Sequence, residues 1–219
     1  MDFDRVNEAR HSVRDFNSKP ISEEDIRAIV ESAQHAPSWV NSQPWSVYVA
    51  TGATLEKIRQ MSQQNDDDHV RGHSDLPVLS RVNWAPTPQK NMREWSHDIV
   101  AHFDSYAHAH ETMSGLTYEL NHAPAIAYIT IPEKSAEWSV FDAGLFAQTL
   151  MLAAKNRGID SIPTYNSVRF PTMIRQIMGI PEDEKLIIGI ELGYAATAPI
   201  NTFRSSAFHS MTCSPSRTD

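Results

Sequence analysis

The stretch SVFDAGLFAQTLMLAAKNRGI, residues 139–159, is apolar on nearly every side when it is read as a helix of about five turns. Gly158 stands where helices often end in a left-handed conformation. A helix that is apolar all round has to be covered on all sides. We therefore predict that this helix is central to the fold, with a subunit interface as one way of covering it.

The segments around this helix predict an α+β fold. APAIAYITI (123–131) and KLIIGIELGYA (185–195) have the composition of buried strands, and WSVYVATG (45–52) alternates as a half-buried strand does. Helices outnumber strands, and the two do not alternate as they do in a regular parallel sheet. Further helices are predicted at 3–10, 22–38, 54–64 and 170–184, and a short extended piece at 160–166.

The domain organisation is simple. No repeat or linker divides the chain, so residues 1–208 are predicted to form a single domain and residues 209–219 a disordered tail. An excursion over residues 60–120 is the least regular part. Within it, 65–91 has an irregular, solvated composition, whereas 92–113 has the spacing of a helix. Long insertions of this kind are usually functional lids or disordered segments.

Composition argues against several classes of protein. Of 219 residues, 41% are apolar and 21% charged, which is typical of a globular chain. The net charge of -8 argues against a nucleic-acid partner, which requires a basic face. The sequence lacks a run of about 18 apolar residues, so no membrane span is predicted, and its charged N-terminal segment predicts no secretory signal. The single cysteine, Cys213, excludes an intrachain disulfide and favours a cytoplasmic location.

The segment RHSVR, residues 10–14, is the first candidate site. In an extended conformation Arg10, Ser12 and Arg14 share one face, while His11 points the other way or donates from its backbone N–H. Two guanidiniums and a hydroxyl on one face suit a phosphate, which accepts charged and bidentate hydrogen bonds. A solvated cationic turn is the alternative that spacing alone leaves open.

The loop APSWVNSQPW, residues 36–45, is the second candidate. The amides of Asn41 and Gln43 can each donate and accept hydrogen bonds, which suits a ring with N–H and C=O groups along one edge. Trp39 and Trp45 offer flat apolar surface. By composition alone, a structural loop that covers an edge of the core is the favoured alternative.

Other catalytic motifs are missing from the sequence. The histidines of the middle region do not have the i, i+4 spacing of a helical zinc site, and there is no CxxC or HExxH, so no metal is predicted. GxSxG, GxGxxG and P-loop motifs are also missing, so neither a serine nucleophile nor a Rossmann dinucleotide site is indicated. The catalytic residues therefore stay unassigned.

Four separated segments resemble motifs of the nitroreductase family of flavin-dependent homodimeric reductases, and they occur in the same order as the family's motifs. RHSVRDF resembles the family's Arg-x-Ser-x-Arg/Lys phosphate motif, and APSWVNSQPW resembles its Pro-Ser-x-x-Asn-x-Gln-Pro-Trp loop. FDAGLFAQTLMLAAKNRGIDSIPTYN is similar to the central helix and the turn that faces the flavin, and GIPEDEKLIIGIELGYAATAPINTFRSS to the last strand and the C-terminal arm. The Pro-Ser-Trp form of the loop is most similar to the branch that contains nitrobenzoate reductases.

The resemblance implies a nitroreductase-like fold and a set of FMN-binding residues. The fold is a central, mostly antiparallel sheet surrounded by helices, in a homodimer with a domain-swapped C-terminal arm. The implied FMN-binding residues are Arg10, His11, Ser12, Arg14, Pro37, Ser38, Trp39, Asn41, Gln43, Pro163, Thr164 and Arg204.

By the same resemblance, the first motif and Arg204 would hold the phosphate, and the loop would reach the flavin bound by the partner subunit. Pro163 and Thr164 would lie against the ring near its N5 atom. The family often has a second basic residue soon after the equivalent of Arg204, and here Ser206 and Ala207 occupy those positions, so a weaker grip on the phosphate is expected. Candidate walls of the substrate pocket, for which core packing is an equal alternative, are Trp39, Trp95, Met113 and Tyr118.

The implied activity is that of an FMN-dependent NAD(P)H oxidoreductase. It would reduce nitroaromatic or similar electron-poor compounds by two-electron, ping-pong hydride transfer, with NADH or NADPH as the donor. No acid–base residue is obligatory for hydride transfer, because the cofactor carries the chemistry, which fits the lack of a catalytic motif. The same fold acting as a dehalogenase, enone reductase or flavin-fragmenting enzyme is the alternative, and a non-catalytic flavin-binding protein is the least favoured one.

Overall fold

Four strands form one sheet in this computed structural model, which describes residues 2–206. The strands are β1 (Ser46–Thr51), β2 (Ala125–Pro132), β3 (Asp160–Thr164) and β4 (Glu184–Gly193), in the spatial order β1-β2-β4-β3. Each neighbouring pair is antiparallel. The α-helices of the described residues are α1 (Phe3–Ala9), α2 (Glu23–Ala33), α3 (Gly52–Asp67), α4 (Pro86–Val100), α5 (Tyr106–Tyr118), α6 (Glu137–Asn156) and α7 (Pro171–Met178). The predicted α+β fold with an antiparallel sheet is confirmed.

Helices cover both faces of the sheet. On one face, Phe146 and Leu150 of α6 pack with Ile29 of α2 and Ile129 of β2. On the other face, α3 and α7 pack with Tyr128 of β2. Successive residues of β2 therefore enter different cores, because side chains alternate along a strand. A strand that is buried on both faces is apolar throughout, which explains the unbroken run APAIAYITI.

Helix α6 lies at the centre of one layer, as predicted. One side of it is fully buried and includes Phe146, Leu150 and Ala154. Its exposed side carries Trp138 and Phe141, which are 55% and 57% exposed. The helix is apolar all round because one side forms the core and the other leaves large apolar side chains on the surface of the single chain.

The start of α2 is fixed by an N-cap at Ser22. Ser22 Oγ accepts a hydrogen bond from the backbone N–H of Asp25 at 3.0 Å and donates to the Asp25 carboxylate at 2.7 Å. We expect Ser22→Ala to lower the free energy of unfolding by about 1 kcal/mol, because the first helical turn loses an acceptor for its N–H groups. Urea denaturation measures the change. Ser18→Ala, at an exposed bend before the helix, is the control, and an equal loss there would contradict the capping role.

The excursion is more regular than its composition predicts. Helix α3 continues into the segment 65–91 and α4 begins at Pro86, so the prediction of an irregular segment is wrong at both ends. Proline is favoured in the first helical turn, where its missing N–H costs nothing. The helical spacing over 92–113 belongs to two helices, α4 and α5. Between α3 and α4, Asp75 forms an ion pair with Arg175 of α7, which anchors the connecting segment to the sheet layer.

The chain after β4 returns to the N-terminal part of the molecule. It passes through a 3₁₀ turn at Pro199–Thr202, and Phe203 then joins Leu116 of α5 in a small apolar cluster. The predicted disordered tail, 209–219, and Cys213 lie outside the described residues. In the part of the chain that the structure describes, no helix is long and apolar enough to cross a membrane.

Candidate functional site

The arginine motif forms a short extended segment beside β3. Ser12 pairs with Ser161 in a parallel bridge, and the N–H of Val13 donates to the carbonyl of Ser161 at 3.2 Å. Val13 is fully buried. Because side chains alternate along an extended backbone, Arg10, Ser12 and Arg14 face away from the core, as the sequence predicts.

These side chains line one cavity of about 550 Å³, which we call the arginine cavity. Its lining consists of Asn7, Glu8, Arg10, His11, Ser12, Arg14, Phe203, Arg204, Ser205 and Ser206. Arg10, Arg14 and Arg204 form no ion pair with any carboxylate among residues 2–206. The buried Nε of Arg10 has no hydrogen-bond partner in the same described residues. A buried donor without an acceptor is costly, so this cavity fits an anion with several acceptor oxygens, such as a phosphate.

Arg14 is held by one hydrogen bond and by two aromatic rings. Its Nη1 donates to the carbonyl of Ser12 at 3.1 Å, and its guanidinium lies 5.6 Å and 5.7 Å from the ring centres of Trp95 and Phe203. Burial lowers the pKa of Arg14, but an arginine stays charged throughout the physiological range. The aromatic contacts therefore present a fixed positive charge in a poorly solvated place, where it attracts an anion more strongly than at an exposed surface.

Asn201, which no sequence motif indicates, joins the C-terminal segment to this motif. Its Oδ1 accepts a hydrogen bond from the N–H of Arg14 at 2.9 Å, and its Nδ2 donates to the carbonyl of Asp15 at 2.7 Å. The carbonyl of Asn201 in turn accepts from Arg204 Nη1 at 2.8 Å. Asn201 thereby fixes the approach of Arg204 to the arginine cavity. A single asparagine in a loop is too common in turns to signal such a role.

His11 contributes a neutral polar group rather than a charge. Its Nδ1 lies 3.0 Å from the carbonyl of Ala9. Burial lowers the pKa of His11, the hydrogen bond to Ala9 raises it, and the nearby charges of Arg204 and Lys155 lower it again. The net effect favours the neutral imidazole, so the arginines supply the positive charge of the cavity.

The second candidate, the loop at 36–45, is anchored on the first half of α6. The N–H of Trp39 donates to Oδ2 of the buried Asp142 at 3.1 Å, and the Trp39 ring lies 5.3 Å from that of Trp138. Pro37 is exposed beside it. The loop contributes none of the residues that line the arginine cavity of its own chain.

The polar side chains of this loop are available to a ligand or a second chain. Asn41 and Gln43 are exposed, and in the described part of the chain their side-chain amides form no hydrogen bond. The backbone is fixed from within, because the N–H of Gln43 donates to Ser38 Oγ at 2.9 Å. Trp45 differs, since it is 7% exposed and its ring lies 4.9 Å from that of Phe146. The structural alternative therefore fits Trp45, whereas a ligand-binding role for the exposed residues before it stays a prediction.

The turn after β3 rests on a buried carboxyl, Glu191, that lies within the last of the four motifs but is not among the implied FMN-binding residues. Pro163 is exposed, and Thr164 Oγ1 donates to Glu191 Oε1 at 2.9 Å. Gly189 lets the turn approach β4, because a Cβ at that position would lie 2.5 Å from the Cβ of Ser167. A signal for Glu191 was present in the sequence, since it is the one acid in the otherwise apolar run LIIGIELGYA.

The candidate pocket-wall residues lie in different places. Trp95 is partly buried beside Arg14, and the ring of Trp39 packs against that of Trp138 on α6. Met113 and Tyr118 line a separate cavity of about 370 Å³. Their role in substrate binding stays a prediction. Among the residues that the structure describes, no group of three or more His, Cys, Asp or Glu side chains could hold a metal ion.

Comparisons with known proteins identify the family of the chain. A model described as the nitroreductase family matches residues 8–194. The chain is 31% identical over 211 residues to the 4-nitrobenzoate reductase of Pseudomonas putida, and the match covers 93% of this chain and 90% of the relative. It is 30% identical over 206 residues to nitroreductase NfnB of Mycolicibacterium smegmatis, and this match covers 92% and 86% of the two chains.

A solved structure agrees with these relatives. The crystal structure of the FMN-dependent nitroreductase NfnB from Mycobacterium smegmatis in complex with NADPH has a TM-score of 0.86 to this fold at 28% identity. The two chains match over 94% of this one and 93% of the other. The family match spans the arginine motif, the loop and all four strands of the sheet. On these grounds the chain belongs to the nitroreductase family.

Proposed function

We propose that this protein is an FMN-dependent oxidoreductase that uses NADH or NADPH to reduce nitroaromatic or similar electron-poor compounds. The observation that carries this proposal is the arginine cavity, where the buried Arg10 Nε has no hydrogen-bond partner in the described residues. The similar protein of P. putida is named for the reduction of 4-nitrobenzoate, and the similar M. smegmatis structure is FMN-dependent and holds NADPH. Family membership and unpaired cations together support a phosphate-bearing flavin as the cofactor.

Arg10, Ser12, Arg14 and Arg204 are the residues proposed to hold the FMN phosphate, with His11 nearby. Hydrogen bonds from a guanidinium to a phosphate are about twice as strong as those between neutral groups. When bound, FMN supplies the two-electron chemistry that amino-acid side chains lack. The chain's own part is to hold the phosphate, orient the ring and exclude water. We propose Pro163 and Thr164 as ring contacts of the same chain, and from the loop Pro37, Ser38, Trp39, Asn41 and Gln43.

We also propose a homodimer in which the loop of one copy serves the cofactor held by the other. Helix α6 contacts the loop at Asp142 and lies near the arginine cavity at Lys155, whose charge acts on His11. These two positions are about 20 Å apart along the helix at a rise of roughly 1.5 Å per residue. This separation supports the idea that the loop and the arginine cavity of one chain serve different cofactors. Exchange of the C-terminal arms stays a prediction, since up to Ser206 the arm packs on its own chain through Asn201.

An acceptor panel tests the proposed activity. FMN-loaded protein is passed through gel filtration and assayed with NADH and with NADPH against 4-nitrobenzoate, nitrobenzene, a halophenol and an enone. We expect a flavin absorption spectrum in the protein peak and oxidation of NAD(P)H that depends on the nitroarenes. Loss of all flavin during gel filtration, or turnover of the halophenol or the enone alone, would contradict the proposal.

A single domain over 1–208 and a cytoplasmic location are further proposals. The single sheet within the described residues supports the first. The low cysteine content supports the second, because disulfides are rare in reducing compartments.

A further inference from the structure

Glu191 is an acid at the centre of the fold. It lies on β4 between Ile126 of β2 and Ile162 of β3, and its exposure is 0%. An ionised carboxylate in such a place is costly unless an ion pair compensates it. Burial accordingly raises the pKa of Glu191 and outweighs the hydrogen-bond donors around it, which act in the opposite direction.

The geometry of its partners favours a proton on this carboxyl. Glu191 Oε1 lies 2.9 Å from Thr164 Oγ1 and 2.8 Å from Ser167 Oγ, and the two hydroxyl oxygens are also hydrogen-bonded to each other. Three contacts among three oxygen atoms need three protons, and the two hydroxyls supply only two. A proton on Oε1 completes a ring in which each oxygen donates once and accepts once. The other oxygen, Oε2, accepts from Asn121 Nδ2 at 2.6 Å.

We infer that Glu191, as a protonated carboxyl, is a positioning residue that fixes both the turn at Thr164 and the segment around Asn121. The inference rests on the proposed function, in which Thr164 faces the cofactor ring and Arg14 holds the phosphate. One buried side chain then aligns the two parts of the site that contact opposite ends of the cofactor.

Through Asn121, the hydrogen-bond network of Glu191 reaches the segment that carries Arg14, the proposed phosphate-binding residue. Residues 120–122 have φ values of 48°, 52° and 57°, a run of left-handed conformations that costs energy in residues other than glycine. The hydrogen bond from Asn121 to Glu191 helps to hold this run. The carbonyl of Asn121 accepts a hydrogen bond from the N–H of Phe16 at 3.0 Å. The run therefore supports the backbone next to Arg14.

The other ionisable groups around Glu191 do not provide the positive charge that an ionised carboxylate would need at this position. Arg59 of α3, which bonds two backbone carbonyls, lowers the pKa of Glu191, but burial is the larger effect. Tyr128 of β2 has a buried hydroxyl without a partner in the described residues, and burial raises its pKa. The hydrogen bond between His122 Nδ1 and Asp15 Oδ1, at 2.9 Å, adjoins the asparagine of the network.

Glu191→Gln tests the proton, because the amide can donate where the protonated carboxyl does and cannot ionise. The pKa of Glu191 is higher in the folded than in the unfolded chain, so the unfolded wild type loses this proton first as the pH rises. The contribution of the carboxyl to stability is then full at low pH and declines above the ordinary value of 4.5. We expect the unfolding constant of the wild type to rise relative to that of the variant by up to about tenfold per pH unit.

Urea denaturation of both proteins between pH 4.5 and pH 8 measures this ratio. Glu182→Gln, at an exposed position in the turn before β4, is the matched control and should leave the pH dependence as it is in the wild type. A ratio that stays constant with pH, or that moves in the opposite direction, would show an ionised carboxylate in the folded protein and overturn the inference.

The positioning role is tested by FMN affinity, measured by fluorescence titration. We expect Glu191→Ala, which loses the bonds to Thr164 and Asn121, to raise the dissociation constant about tenfold or more, and Glu191→Gln to restore it to within roughly threefold of wild type. If the alanine variant does not fold, Ser167→Ala opens the same ring of hydrogen bonds and should weaken FMN binding in the same direction.

Wild-type affinity in both Glu191→Ala and Ser167→Ala would overturn the positioning role. Wild-type protein that binds no FMN would remove the proposed function and the positioning role together. The stability comparison needs no cofactor, so it decides the protonation of Glu191 independently of that result.

Discussion

Arg14→Ala is expected to raise the dissociation constant of FMN by roughly 100-fold. The guanidinium is held at the arginine cavity by the carbonyl of Ser12 and by the rings of Trp95 and Phe203, so little conformational entropy is lost when it binds a phosphate. The variant loses charge-assisted hydrogen bonds worth about 1.5–3 kcal/mol and also part of the positive charge of the cavity. Flavin fluorescence titration of dialysed protein measures the affinity.

Two further variants show how much of the loss of FMN affinity comes from the charge of Arg14, from its planar shape, and from the removal of any arginine. Arg14→Lys keeps the charge but not the planar fork, so an intermediate loss of affinity is expected. Arg5→Ala on α1, where an exposed arginine pairs with Asp2, should leave FMN affinity unchanged. Full FMN occupancy in a stably folded Arg14→Ala protein would contradict the assignment of the phosphate site.

Phe141→Glu is expected to convert the proposed dimer into monomers and to release FMN. The ring of Phe141 lies 6.0 Å from that of Trp138, which lies 5.3 Å from that of Trp39, and all three residues are more than half exposed in the single chain. A contiguous apolar patch of this kind marks a protein interface. A carboxylate buried there without a partner costs several kcal/mol, so the dimer dissociation constant should rise by at least about 100-fold.

Light scattering during gel filtration measures the mass, and flavin absorbance in the same peak measures the cofactor. Met61→Glu is the control, because Met61 is an exposed apolar residue of α3, on the opposite face of the sheet from α6. Since the loop is proposed to serve the cofactor of the partner, dissociation of the dimer and release of FMN should occur over the same range of protein concentration. A monomeric Phe141→Glu protein that retains FMN as tightly as the wild type would argue against a site shared between subunits.

Much of the fold follows from patterns among neighbouring residues. Each of these local features lies where its chemistry predicts: the N-cap at Ser22, the left-handed residues Gly158 and Gly179 that follow helices, and the apolar run of β2. The start of α4 was missed because WAPTPQKN combines two prolines with polar residues, which is also the composition of a loop. Only its packing against α5 distinguishes the two interpretations.

The candidate site was predictable where its residues are close in sequence. The alternation of Arg10 and Arg14 leads directly to their shared cavity. Glu191 acquires its role from Thr164, 27 positions away, and Asn121, 70 positions away, so only the folded chain brings the three together. The neighbours of a strand residue across a sheet depend on topology and register, which local composition does not specify.

The arginine cavity is assembled from segments that are far apart in the sequence. Arg14 and Asn201, which share a hydrogen bond, are 187 positions apart, and Ser12 pairs with Ser161. Contacts between distant positions form slowly, and during synthesis the N-terminal part of a chain emerges first. While the segment around Asn201 is still inside the ribosome, the chain cannot close this cavity, however much of the sheet has formed. Capture of the cofactor therefore requires synthesis to pass Asn201, and products of premature termination before it should accumulate as colourless apoprotein.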